Sequence, residues 1–312
     1  MSQAEPSWEL YGTFLAVLRS GSLSAAAREL GLAQPTVRSR IAALETALDA
    51  VLFTRAPSGL VPTEAASSMR VHAEAMEASA RALARAVSAP ADEERGTVRV
   101  TASEVVGVEV LPPILASLRA LHPSIQIELS LGNRNQDLLR RDADVAVRMI
   151  APTQAALVAK RVGAVDVGLY ASAGYLEGRE APRTPADLLA HDLIGDDRER
   201  GIMQALSAAG VAARARHFVL RTDNQLAQLA ALRAGVGIGP CQIPLAGDLV
   251  RVLGDVAFPL EVWVVTHEDL RAVRRVRAVF DELVRALGVY VGGRGRRSDR
   301  SARERKDPRL RR

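Results

Sequence analysis

Cysteine is almost missing: Cys241 is the only one in 312 residues. No intramolecular disulfide can form and no cysteine cluster can hold zinc, which excludes a two-cysteine peroxide sensor and leaves Cys241 as a small apolar filler. The histidines, at positions 72, 122, 191, 217 and 267, show no metal-ligand spacing, and no G-x-S-x-G elbow occurs. No run is long and apolar enough to span a membrane. The start, MSQAEPSWEL, lacks the charged and apolar regions of an export signal, so a cytoplasmic protein is expected. Gly235-Val236-Gly237-Ile238-Gly239 echoes a dinucleotide loop only superficially. Its glycines follow a helical pattern and begin a strand, whereas a phosphate-cradling loop follows a strand and opens a helix. Neither an enzyme nor a cofactor is expected.

Excess charge is also missing, except at one end. The formal net charge is +5, but residues 294–312 hold nine Arg and Lys306 against Asp299, Glu304 and Asp307, so the rest of the chain carries −2. Residues 1–63 balance five arginines with five acids, and any affinity of that region for a polyanion must come from the placement of single arginines. The stretch 291–312, rich in Arg and Gly and without apolar periodicity, is expected to be a basic disordered tail. It either adds salt-sensitive, sequence-independent DNA affinity or is an incidental extension.

What is present centres on residues 22–48, SLSAAARELGLAQPTVRSRIAALETAL, which reads as two helices joined by a tight turn. Ala26, Ala27 and Leu30 precede Gly31, which can take the positive φ of a sharp turn. Ser22 or Ser24 can cap the first helix, and Gln34-Pro35-Thr36 opens the second. Val37, Ile41, Leu44 and Leu48 share one stripe, which sends Pro35, Ser39, Ala42 and Thr46 outward, flanked by Thr36 and Arg38. Arg40 lies nearer the buried edge and can snorkel. A small, polar surface with guanidinium groups suits a helix that enters a DNA major groove. Ser24, Gln34, Pro35, Thr36, Arg38, Ser39 and Arg40 are therefore the expected DNA-binding residues, against the alternative of a plain helical hairpin.

Residues 7–20 place Tyr11, Phe14, Leu15 and Leu18 on one face of a covering helix that Gly21 ends. Residues 51–61 read as a short hairpin or wing, with Arg55 either beside a phosphate, in the minor groove, or merely solvated. From Thr63 to about residue 88 an alanine-rich helix repeats apolar residues in alternating steps of three and four. Met69, Ala73, Met76, Ala80 and Leu83 are its expected dimerisation seam, or else a stripe packed within its own chain. A two-fold dimer predicts an operator with inverted half-sites.

From residue 10 to 66 the chain resembles the winged helix-turn-helix of LysR-type transcriptional regulators. The family pattern F-x-x-V-x-x-x-G-S-x-S-x-A-A-x-x-L appears as Phe14, Val17, Gly21-Ser22, Ser24, Ala26-Ala27 and Leu30. Gln34-Pro35, Val37, Ile41, Leu44-Glu45, Leu52-Phe53-Thr54-Arg55 and Thr63-Glu64-Ala65-Ala66 continue it. Ala33 stands for the usual Ser, Arg38-Ser39 for the commoner Ser-Arg, and Ala66 for Gly. The first two departures lie among expected base-contacting positions, so the family's operators do not transfer.

Residues 89–96 read as a hinge. Beyond them strand and helix patterns alternate, with strands near 98–102, 125–129, 144–148, 167–170, 217–220, 236–240, 249–253 and 261–266 and helices near 111–121, 137–141, 185, 202, 223–234 and 271–287. Such alternation calls for a mostly parallel sheet covered on both faces. The resemblance continues loosely here and implies a two-lobed effector domain like type 2 periplasmic binding proteins, with crossovers near residues 165–166 and 265–266.

The expected class is thus α/β overall. It comprises a winged helix-turn-helix over 6–63, a linker helix and hinge over 64–95, and an effector domain over 96–290. Lobe I is expected to take 96–165 and 266–290, and lobe II 166–265. The resemblance places the effector-binding residues at Ser103, Glu104, Met149, Thr222, Asp223, Asn224, Ile238 and Pro240, with Ser103 and Thr222 either contacting the ligand or only capping helices. The expected partners are double-stranded DNA, an unidentified small-molecule effector, a second copy or three further copies of the chain and, for an activator, RNA polymerase. A molybdate-type regulator, with a similar head and a different sensor, is the nearer alternative. A nucleotide-cofactor enzyme is the remoter one.

Overall fold

The computed structural model describes residues 5–57, 59–132, 143–152, 157–197, 206–208 and 210–292. The helical patterns expected at 137–141 and near Ile202, and the basic tail from residue 293, lie outside the described residues. The chain divides into one unit that runs to Val87 and a second that begins at Ser88.

The first unit starts with α1 (Trp8–Ser20), which stops where Gly21 takes φ 64° and donates its N–H to the Val17 carbonyl. In α2 (Leu23–Leu30) the cap is Ser22 rather than Ser24: its hydroxyl accepts from the Ala25 N–H at 3.3 Å. Gly31, at φ 65°, turns the chain into α3 (Gln34–Leu48). Phe14, Leu15, Val17, Ala26, Ala27, Val37, Ile41 and Leu44 form one core. Leu48 departs from the expected stripe. It is the last residue of α3, before Asp49 turns left-handed, and its side chain stays exposed while Leu52 fills the core instead.

Strands β1 (Phe53–Ala56) and β2 (Gly59–Pro62) pair antiparallel as the wing. Gly59 has φ 122° and lies so close to the Gly21 carbonyl that a Cβ would sit 2.8 Å from its oxygen. The same oxygen accepts the Leu60 N–H at 2.9 Å, which docks the wing on the turn after α1. Helix α4 (Glu64–Ala86) is capped by Thr63, whose hydroxyl accepts from the Ala66 N–H.

The second unit carries a six-stranded sheet in the order β4-β3-β5-β10-β6-β9. Its strands are β3 (Gly96–Ala102), β4 (Ile125–Leu131), β5 (Val145–Arg148), β6 (Leu157–Ala171), β9 (Gly239–Gln242) and β10 (Val250–His267). β4, β3 and β5 run parallel, but β5, β10, β6 and β9 pair antiparallel, so the sheet is mixed rather than mostly parallel. The cause is a pair of long strands. The stretches at 249–253 and 261–266 fuse into β10, with the polar break at Gly254-Asp255 absorbed by a register shift and Leu253 at φ 49°. β7 (Leu193–Gly195) and β8 (Phe218–Arg221) pair parallel, and Leu193 bridges to Ile238.

The long pair divides the sheet. β10 pairs with β5 only over residues 263–266, and β6 pairs with β9 only over 167–170. Between them, residues 163–166 and 259–262 form a ribbon two strands wide. On β10 the exchange of neighbours falls just before Trp263, ahead of residues 265–266. One lobe packs α5 (Leu111–Leu121) and α8 (Arg274–Gly292) on β3, β4 and β5, with Leu111, Leu118, Val145, Val264, Val279 and Leu283 buried. The other gathers α6 (Ala173–Leu176), α7 (Gln225–Arg233), β7, β8 and β9 around Leu169, Tyr175, Leu188, Leu193 and Ile238.

Candidate nucleic-acid interface and effector cleft

Helix α3 owes its position to one stripe, Val37, Ile41 and Leu44, which is 6% exposed or less. The opposite side is therefore fixed outward, and Gln34, Pro35, Thr36, Arg38 and Ser39 are all exposed, as is Ser24 on α2. Arg38 makes no hydrogen bond or ion pair among the described residues, whereas Arg40 is committed. Its Nη2 lies 2.7 Å from Glu9 Oε2 and its Nη1 3.5 Å from Thr13 Oγ1, so it braces α3 against α1. Ala33 precedes α3 without a side-chain cap. Arg55 is exposed on the wing.

The expected seam of α4 splits. Met69 and Ala73 pack on the core of the head together with Ala66. Met76 and Leu83 are exposed, and Ala80 is half-buried. Arg19 of α1 ties the helix down, with its guanidinium 2.8 Å from Glu29 and 3.2 Å from Glu77, and Arg81 also meets Glu77 at 2.5 Å.

In the second unit the two lobes meet at a pocket of about 90 Å³. Val105, Val167 and Leu260 wall one part, and Gln225, Gln228 and Leu229 of α7 with Pro240, Cys241 and Gln242 of β9 wall another. Of the expected effector residues, Pro240 lines this pocket. Ser103 lies just before Val105, with its Oγ buried and without a hydrogen-bond partner among the described residues. Glu104 beside it is half-buried, as is Met149 after β5. Thr222 and Asn224 shape the start of α7. The Thr222 hydroxyl accepts from the Asn224 N–H, and Asn224, not Thr222, caps the helix through the Ala227 N–H. Asp223 is exposed. Ile238 is fully buried in the lobe core, with its backbone bonded to Asp192 and Ile194, so its side chain is not part of the pocket wall.

The glutamines of the wall escaped the sequence reading. Their signal was Gln225 and Gln228, three apart, with Gln228 on the otherwise apolar face of α7. Gln228 donates through Nε2 to Asp196 Oδ1 at 2.7 Å and to the Thr222 carbonyl at 3.2 Å. Gln242 accepts from the Tyr290 hydroxyl at 2.6 Å, a bond between β9 and α8. A second polar link crosses the lobes: Arg233 at the end of α7 grips Glu109 with both terminal nitrogens, at 3.1 and 2.9 Å. The guanidinium holds Glu109 below the usual carboxylate range. Burial pushes the Cys241 thiol up to about 12, so it stays protonated and unreactive. Among the described residues no group of His, Cys, Asp and Glu is placed to hold a metal ion, and no helix is long and apolar enough to cross a membrane.

Comparison with known proteins matches both units. Residues 8–67 fit the model of the bacterial regulatory helix-turn-helix protein, lysR family, and residues 91–288 fit the LysR substrate binding domain. An HTH-type transcriptional regulator of Xanthomonas campestris is 31% identical over 189 residues, which are 61% of this chain and 55% of that protein. LtrA of Klebsiella pneumoniae, a probable HTH-type transcriptional regulator, is 26% identical over 90% of this chain and 94% of its own. Full-length CbnR, solved in complex with its target DNA, shares the fold with a TM-score of 0.65 at 20% identity, over 90% of this chain and 99% of that one.

Proposed function

The chain belongs to the LysR family of bacterial transcriptional regulators, and from that membership we propose how its parts act. The head, residues 6–63, lays α3 in the major groove. Gln34, Thr36, Arg38 and Ser39 reach base edges, Pro35 and Ser24 flank them, and Arg55 meets a phosphate or the minor groove. Arg40 serves from behind through Glu9. The observation that carries this reading is the exposure of a polar strip on α3 directly opposite its buried stripe. The uncapped N–H groups at the start of α3 suit a DNA phosphate.

Residues 64–95 join two copies, with Met76, Ala80 and Leu83 of α4 facing the partner helix while Met69 and Ala73 hold α4 on its own head. Dimers can pair into tetramers, and an activating role brings in RNA polymerase. Residues 96–290 bind a small-molecule effector between the lobes, at the pocket that Val105, Gln228, Pro240 and Gln242 line; two positions before Val105 lies Ser103, whose buried hydroxyl lacks a protein partner among the described residues. An effector that binds one lobe arrangement better than another shifts the population toward it and so biases DNA binding. The role is regulation rather than catalysis.

Sequencing the genomic DNA that co-purifies with the protein tests this reading. Recurrent fragments that share inverted half-sites are the expected result; DNA indistinguishable from a random genomic sample contradicts it.

A further inference from the structure

We propose that the cleft pocket takes a small uncharged molecule with both a hydrogen-bond donor and an acceptor on an apolar body, an amide or lactam rather than a carboxylate. This rests on reading the cleft as the effector site and narrows that reading to a chemical class. Ten residues line the pocket; three are glutamines, and none bears a charge. Cys241 is a neutral thiol. The nearby Arg233 spends its guanidinium on Glu109, so it offers no free cation to an anionic ligand.

Both buried glutamines bond to protein groups, and in Gln228 those partners fix which way the amide faces. Asp196 Oδ1 and the Thr222 carbonyl can only accept, so the Gln228 Nε2 must face them. That leaves the Gln228 Oε1, an acceptor in the pocket wall, with no partner among the described residues. In Gln242 the carbonyl oxygen takes the Tyr290 hydroxyl, which leaves its Nε2, a donor, uncommitted among the described residues. The wall thus presents one acceptor and one donor on otherwise apolar ground.

A carboxylate brings no proton for Gln228 and sets a negative charge near an amide backed by Asp196. An ammonium finds no counterion in the wall. A neutral amide satisfies both glutamines and carries no charge out of water. An apolar cavity of about 150 Å³ holds the six carbons of benzene, so this pocket of about 90 Å³ encloses about four of a ligand's heavy atoms.

The experiment uses the full-length protein and three probes of nearly one shape: isobutyramide, isobutyrate and 3-methyl-2-butanone, which keeps the carbonyl and lacks the donor. Affinity is read by ligand-observed NMR, and location by hydrogen exchange. Isobutyramide is expected to bind about ten-fold more tightly than either twin and to slow exchange within residues 225–245. Gln228→Leu should erase that preference, Gln242→Leu should weaken all three probes alike, and the ketone tests the donor without altering the protein. Isobutyrate binding as tightly, with protection in 225–245, would overturn the ligand class and leave the cleft reading intact. Amide binding with protection elsewhere would overturn both. Silence from all three probes at about 10 mM, where even fragments of low affinity register, would overturn the class alone.

Discussion

Arg38 and Arg40 lie two positions apart on α3 and have separate duties. Arg38 is exposed without a partner among the described residues, while Arg40 reaches back to Glu9 and Thr13. A bidentate arginine contact to a base discriminates by about 1–3 kcal/mol. Arg38→Ala should therefore weaken operator binding about ten- to hundred-fold, measured by fluorescence anisotropy at fixed salt. Arg40→Ala should weaken it far less and lower head stability by about 1 kcal/mol or less, as expected of a surface pair. Equal losses of affinity in both variants would contradict the division. The outward residues of α3 were legible in the sequence because a 3.6-residue period fixes which side faces the core. The tie of Arg40 to Glu9 was not, since the partners are 31 positions apart and only the crossing of α1 and α3 brings them together. The same holds for Gln242 and Tyr290, 48 positions apart.

Among the elements, the wing depends on a close approach that no side chain tolerates. Gly59→Ala would place a Cβ 2.8 Å from the Gly21 carbonyl oxygen at a φ of 122°. It should destabilise the head by about 1–3 kcal/mol, seen as a lower urea midpoint together with weaker operator binding; an unchanged midpoint would show that the wing docks otherwise. Between the lobes, the Arg233–Glu109 clasp makes stability depend on pH. Arg233 depresses the Glu109 carboxyl, so the contribution is fully present above the unfolded-state carboxylate range and is lost as pH falls through the lower folded value. Small-angle scattering should show the lobes spreading as acid is added, and Glu109→Gln should reproduce that spread at neutral pH. A variant that keeps the compact profile would contradict it. The helices of the head were readable from spacing and glycine stops. The fusion of two expected strands into β10 was not, because Gly254-Asp255 reads locally as a turn and only pairing with β6 on either side of it, at Val252 and Ala257, joins the two stretches.

At the scale of the whole molecule, the exposed Met76 and Leu83 leave the outer side of α4 with apolar surface that no described residue covers. Replacing both with Glu should shift the protein toward monomers in analytical ultracentrifugation and reduce operator affinity, since one head then binds without its twin. A dimer that persists would move the interface elsewhere. The two-part plan was legible from the change of pattern at Thr63 and the strand-helix alternation after Gly96. The cleft pocket was only half legible: β-strand ends marked the cleft, but its polar wall belongs to Gln225 and Gln228 of α7 and Gln242 of β9, which only the fold brings together. The central claim, that the polar strip beginning at Gln34 reads duplex DNA, is tested most directly by selection from a random duplex pool with the intact protein and with Arg38→Ala. The intact protein should enrich one sequence with inverted half-sites spaced by about one helical turn or a multiple of it, and the variant should lose that enrichment. A pool that stays random, or one that converges equally with Arg38 replaced, would contradict the account.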